Sequence, residues 1–230
     1  MAEPKFLKIE NNGQVARIIL DRPKHNVLDI PMMNELNGEL EKIAADEELK
    51  CLVITGEGRS FCAGVEVGDH KPDNVDAMVA TFNRIFELIN MIDIPIIAAV
   101  NGACLGGGME VAIACDIVIA SEKAIFGQPE VKLGFFPPYA ALRLPELVGV
   151  AKAIEIVTTG QNYSALESKD LGFVSKVASV DDFQAMIDGQ VKQICHASPL
   201  ILRLNKRAVK RHIGTSFFQG VDLVSNYFLK

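Results

Sequence analysis

Asn101-Gly102-Ala103-Cys104-Leu105-Gly106-Gly107-Gly108-Met109-Glu110 is the stretch on which the reading of this chain turns. It follows Pro95-Ile96-Ile97-Ala98-Ala99-Val100, an apolar run of strand length, and opens Met109 to Cys115, an apolar segment short enough for one buried helix. Three successive glycines at such a junction have two readings. Either they let a helix pack closely on a strand, or they leave the amides of a helix N-terminus open to an anion or a developing oxyanion. Met109 and Glu110 stand where a phosphate-binding loop would carry Lys and Ser/Thr, and the spacing is not G-x-G-x-x-G, which argues against a nucleotide triphosphate site.

Two carboxylates accompany the glycines. Glu110 lies one residue into the apolar helix, and Glu130 ends Phe126-Gly127-Gln128-Pro129-Glu130. A buried carboxylate is costly unless it is paired or functional. Taken singly, each reads as half of a salt bridge. Taken together at one apolar site, they would raise each other's pKa and suit acid–base chemistry.

The remaining chain alternates strands and helices. Phe6 to Glu10 and Val15 to Leu20 read as strands joined by the turn Asn11-Asn12-Gly13. Asp29 caps a helix over Ile30 to Ala45, and Cys51 to Thr55 is a buried strand. Asp69 to Asp76 reads as a polar, mobile loop before a helix from Val75 to Ile92, with Met78, Phe82, Ile85, Phe86 and Ile89 on one face. Strands are expected at Asp116 to Ala120, Ala124 to Gly127 and Phe173 to Val177. Helices are expected at Tyr139 to Leu147, Ala151 to Thr158, after the capping box Ser164-Ala165-Leu166-Glu167, at Val180 to His196, from Ser198-Pro199, and at Thr215 to Leu229. This is an α/β core with a helical tail and no linker between independent domains.

Composition narrows the function classes. The 230 residues suffice for one sizeable domain, and a net charge of −6 argues against broad contact with nucleic acid. No apolar run reaches a membrane span, and Met1-Ala2-Glu3-Pro4-Lys5 lacks a signal-peptide pattern. The five cysteines form no C-x-x-C pair and read as buried, reduced thiols of a cytoplasmic protein. Four scattered histidines give no metal site.

Five motifs, in order, carry a resemblance. They are Arg22-Pro23 with Asn26 and Leu28, Phe61-Cys62-Ala63-Gly64, Asn101-Gly102 through Gly106-Gly107-Gly108, Cys115-Asp116, and Phe126-Gly127-Gln128-Pro129-Glu130. Through them the chain resembles the crotonase superfamily, the enoyl-CoA hydratase/isomerase family, from its N-terminal strands to its last residues. The resemblance implies a spiral of repeated ββα units over residues 1–196 and a C-terminal helical oligomerisation region, 197–230, that assembles trimers or hexamers. The chain stops where family members continue with a further basic helix, so that region is expected to be incomplete at its end. An acyl-CoA substrate is implied, and no separate cofactor, because coenzyme A is part of the substrate.

The resemblance also places the site. The backbone N–H groups of Val65 and Gly107 would form the oxyanion hole for the thioester carbonyl. Hydratases of the family keep a glutamate at the positions matched by Glu110 and Glu130, whereas many isomerases keep one. The expected reaction is therefore reversible addition of water across the 2,3 double bond of an enoyl-CoA, with Glu110 acting on the water and Glu130 on the α-carbon proton. Lys24, Ala63, Glu66 and Val67 are expected along the substrate and its CoA. Glu66 stands where many relatives have aspartate. Competing readings are a double-bond isomerase and a non-catalytic acyl-CoA- or RNA-binding relative; the acidic charge and the intact glutamate pair speak against the last.

After the Pro-Glu motif, typical hydratases have a small, glycine-rich run. This chain has Leu133-Gly134-Phe135-Phe136-Pro137-Pro138-Tyr139-Ala140. Phe135, Phe136 and Tyr139 either pack beneath the site or shape a flat acyl pocket, as in the family's hydratases for cyclic dienoyl-CoA. Lys206, Arg207, Lys210 and Arg211 read as a solvated basic face, with contact to CoA phosphates as the alternative.

Overall fold

After a first hairpin in the larger sheet, the chain lays down strands in pairs, one for each of two sheets, and then a helix. The computed structural model describes residues 4–211. It opens with β1 (Leu7–Asn11), β2 (Val15–Leu20) and α1 (Ile30–Ala45). β3 (Cys51–Gly56) and β4 (Ser60–Cys62) precede α2 (Val75–Met91), and β5 (Ile96–Val100) and β6 (Ala103–Leu105) precede α3 (Gly107–Ala114). β7 (Ile117–Ser121) and β8 (Ile125–Gly127) precede α4 (Pro138–Val148). Then come α5 (Val150–Thr159), β9 (Asn162–Ser164), α6 (Ala165–Asp170), β10 (Lys176–Ala178), α7 (Phe183–Cys195) and α8 (Pro199–Arg211).

The larger sheet runs β1-β2-β3-β5-β7-β10 and the smaller β4-β6-β8-β9. Neighbours β3, β5 and β7 are parallel, as are β4, β6 and β8. Each ββα unit therefore advances one strand in both sheets, which is the spiral implied by the resemblance. β5 is buried along its whole length, since both faces of a covered parallel sheet are apolar. In β3 the alternation sorts two cores: Leu52 and Ile54 join the main cluster, while Cys51 and Val53 face Ile187 of α7.

Local chemistry sets the helix ends. The Asp29 side chain accepts from Met32 N–H at 2.9 Å, with proline in the first turn of α1. Ser164 and Glu167 form the reciprocal box that starts α6. α3 is buried at every position, Glu110 included, because it packs against β4, β5 and β6 and against α2 and α4 rather than lying along the surface.

Several expectations change. The segment read as mobile begins with a 3-10 turn, Val67–His70, and Asp69 Oδ2 accepts from Ile30 N–H at 3.0 Å, pinning it to α1. The last strand starts at Lys176; Phe173 and Val174 fill the core instead. α7 starts at Phe183, because Ser179 and Asp182 exchange hydrogen bonds just before it. Four of the free cysteines are buried and Cys195 is partly so. The helix expected over Thr215 to Leu229 lies outside the described residues.

The basic cluster is the clearest correction. Lys206 is 9% exposed; its Nζ donates to Ile94 O at 2.8 Å and lies 2.6 Å from Asp116. Lys210 pairs with the same Asp116 at 2.9 Å, and Arg207 pairs with Asp93. Asp116 also accepts from Ile96 N–H at 2.8 Å. Three of the four cations thus clamp α8 onto the larger sheet rather than form a solvated face. Two acidic residues distant in sequence, Asp93 and Asp116, draw them inward.

Candidate active site

The site is assembled around Gly106. Its N–H donates to Gly127 O at 2.9 Å, which holds β6 on β8, and its carbonyl accepts from Glu110 N–H at 3.0 Å, which starts α3. Its φ of +53° is left-handed backbone, open to glycine at little strain. A Cβ there would sit 2.9 Å from Glu130 Oε1, so the missing side chain makes room for the carboxylate. A Cβ on Gly108 would sit 2.2 Å from Cys62 O, so that glycine lets the helix press on β4. The close-packing reading of the glycine run therefore holds at Gly108, while Gly106 leaves space for a carboxylate.

Gly107 is the first residue of α3, where an N–H has no partner within the helix. Val65 forms an isolated parallel bridge with Leu28, in which Leu28 N–H donates to Gly64 O at 2.9 Å and Glu66 N–H to Leu28 O at 2.8 Å. In that pattern the N–H of Val65 itself faces away from Leu28. Among the described residues, neither the Val65 nor the Gly107 N–H has a hydrogen-bond partner. The two residues adjoin: a Cβ on Gly107 would lie 2.6 Å from Val65 Cγ2, and a Cβ on Gly64 would lie 4.0 Å from Gly107 N.

Glu110 is 2% exposed, and one of its oxygens accepts from Ala140 N–H at 2.8 Å. Burial pushes its pKa up to about 7 against that hydrogen bond, and the like charge of Glu130 adds to the rise. Glu130 sits half-buried in the 3-10 turn Pro129–Leu133, where burial pushes it up to about 7 as well. The fully buried Gln128 adjoins it; with its amide nitrogen facing the carboxylate, it donates to both Glu130 oxygens at 3.0 Å. No cation figures among the groups that shift either glutamate, so neither is held as half of a salt bridge.

An aromatic file borders the amides. The Phe82 ring would lie 3.0 Å from a Cβ on Gly107, Phe86 meets Phe82 edge-on at 4.8 Å, and Tyr139 stacks on Phe86 at 4.0 Å and 8°. Of the three residues expected to shape an acyl pocket, Tyr139 alone joins this file. Phe135 lies against the His70 ring at 4.5 Å, and Phe136 is 73% exposed, so in this chain it walls no enclosed space.

The other residues expected along the substrate differ in exposure and partners. Lys24 is exposed, Ala63 is half-buried with its N–H donating to His25 O at 3.0 Å, and Val67 is 56% exposed. The Glu66 carboxylate is engaged with its own chain, accepting from Gly68 N–H at 3.4 Å and lying 3.8 Å from Arg22. Sequence reasoning missed Phe82, Phe86, Gln128 and the Ala140 amide as parts of the site. The α2 pair carried only a core signal, while Gln128 was visible as a polar residue inside a quoted motif. Among the described residues no group of ligating side chains could hold a metal ion, and no helix is long and apolar enough to cross a membrane.

Comparison with known proteins agrees with this architecture. The family model described as enoyl-CoA hydratase/isomerase matches residues 10–228. A protein named probable enoyl-CoA hydratase, mitochondrial, from Dictyostelium discoideum is 36% identical over 222 residues, covering 95% of this chain and 80% of its own. The short-chain-enoyl-CoA hydratase of Clostridium acetobutylicum is 35% identical over 88% of this chain and 80% of its own. The crystal structure of enoyl-CoA hydratase from Bacillus anthracis superposes with a TM-score of 0.90 at 29% identity, covering 97% of this chain and 90% of that one. The motif order, the two-sheet spiral and these matches together place the chain in the enoyl-CoA hydratase/isomerase family of the crotonase superfamily.

Proposed function

We propose that the chain is an enoyl-CoA hydratase that adds water reversibly across the 2,3 double bond of an enoyl-CoA thioester. The observation that carries this reading is the pairing of two glutamates, each raised to about 7 by burial, beside two adjacent backbone amides without partners. A thioester carbonyl accepting from the Val65 and Gly107 N–H groups would gain negative charge as water attacks C3, and fixed amides at a helix N-terminus stabilise that enolate. Glu110, anchored by Ala140 N–H, takes a proton from the attacking water. Glu130 gives a proton to C2, so the elements of water are added and the two glutamates end with their protons exchanged. A pKa near neutrality suits both roles, because each group must gain and lose a proton in a cycle.

The exposed Lys24 would offer a cation to the CoA phosphates, and Ala63 and Val67 would lie along the pantetheine. The test is to mix the protein with crotonyl-CoA and a cyclic dienoyl-CoA in oxygen-18 water and follow the enoyl-thioester absorbance. The expected result is loss of absorbance with one labelled oxygen in the product. Tight CoA binding with no turnover of either substrate refutes the reading, and turnover without label assigns the chain to the isomerases.

A further inference from the structure

We infer that the Phe86–Tyr139 ring pair is the stop that sets the length of the acyl group, and that the cavity behind it is a closed-off extension of the acyl pocket. The inference rests on the reading that an acyl-CoA thioester sits on the Val65 and Gly107 amides, and it adds which part of the fold measures its tail.

Tyr139 also lines a half-open cavity of about 560 Å³, within the roughly 300–1,000 Å³ typical of ligand pockets. Its apolar lining includes Ala114, Ile117, Leu202 and Val209. Ala114 ends α3, about one helical turn after Glu110, so the cavity begins one turn of that helix beyond the carboxylate. Tyr139 belongs to both places. Its ring lines the cavity, and the amide of the next residue, Ala140, holds Glu110.

An acyl tail that starts at the amides of Val65 and Gly107 meets Phe82 first, since that ring lies against Gly107. The T-shaped contact to Phe86 and the near-parallel stack onto Tyr139 then close the way. Phe86 is buried and is held by Phe82 on one side and Tyr139 on the other. The cations at the cavity are all paired, Lys206 and Lys210 with Asp116 and Arg143 with Glu146, so the space suits hydrocarbon rather than an anion. Both ring residues are anchored on helices, α2 and α4, so shortening either side chain joins the two spaces while the backbone amides of Tyr139 and Ala140 that face Glu110 stay in the chain.

The experiment measures the affinity of butanoyl-CoA and decanoyl-CoA, saturated and unreactive, by calorimetry, alongside kcat/KM for crotonyl-CoA and 2-decenoyl-CoA. Wild-type protein should favour the four-carbon ligand by about tenfold or more, and Tyr139→Ala or Phe86→Ala should raise the decanoyl-to-butanoyl affinity ratio by about the same factor. Tyr139→Leu and Phe86→Leu, checked by circular dichroism, replace any alanine variant that fails to fold. Equal affinity of the wild type for both ligands, or an unchanged ratio in folded variants at both positions, overturns the inference. Failure of the hydratase reading looks different: no enoyl-CoA of any length is hydrated, while the affinity ratio still reports the stop.

Discussion

Replacing Glu110 with glutamine separates the cost of the catalytic charge from the packing around it. The amide keeps the size of the side chain and an oxygen that can accept from Ala140 N–H, the bond that places Glu110 at 2.8 Å from that amide. Only the titration is lost. In the folded protein burial holds the carboxyl at about 7, against 4.5 in the unfolded chain. The folded state therefore binds the proton more tightly, and unfolding releases it between those two values. Wild-type stability is unhindered below about pH 4.5, falls as pH rises toward 7, and is lowest above 7. At pH 8 the penalty of carrying the charge in the fold is about 3 kcal/mol. Glu110→Gln escapes this penalty, so its stability relative to wild type should rise by about 3 kcal/mol between pH 4 and pH 8. Urea unfolding at pH 4, 6 and 8 measures the change; packing differences of the amide are common to all three and cancel. Hydration activity should fall by about 10²–10⁴-fold, the usual contribution of a positioned acid–base group. A stability difference that does not change with pH would refute the claim that burial of a charge governs this residue. So would a variant that loses ground to wild type as pH rises.

Three other perturbations probe separate parts of the structure. Gln128→Leu removes the amide donors from Glu130, and because they favour the charged form, the alkaline limb of the hydration profile should move to higher pH; an unmoved limb counts against their contact. Gly106→Ala places a methyl 2.9 Å from Glu130 Oε1 on left-handed backbone, so kcat should drop at least about tenfold while stability falls only by about 1–2 kcal/mol. Asp116→Ala strands the buried Lys206, and guanidinium unfolding should show a loss of about 3 kcal/mol or more, with KM for the substrate little changed.

What could be read from the chain and what could not divide along a physical line. Glu110 and Glu130 were legible because a carboxylate in an apolar run is out of place wherever the run goes, and the glycines beside them were legible because few folds need three in succession. The short strands β4, β6 and β9 were not, since three residues carry no usable period and gain their stability from the neighbour they pair with. The inward turn of Lys206 and Lys210 was hidden for a related reason. A basic stripe on a helix looks solvated until a carboxylate from elsewhere, here Asp116, is brought beneath it.

The aromatic file falls between these cases, and in the proposed reading it is where specificity would be written. Phe82 and Phe86 were placed on the buried face of α2, where their spacing put them, yet the same spacing serves any core helix. Only the packing of α2 against α3 and the start of α4 turns Phe82 toward Gly107 and Phe86 toward Tyr139. The groups proposed to react lie in α3 and in the turn that carries Glu130, and they are encoded by residues that stand out locally. The groups that would measure the tail lie on α2 and α4 and are encoded by ordinary core residues. Substrate preference can therefore drift by core substitutions that leave every catalytic motif intact, and relatives with the same glutamates and glycines need not share an acyl group.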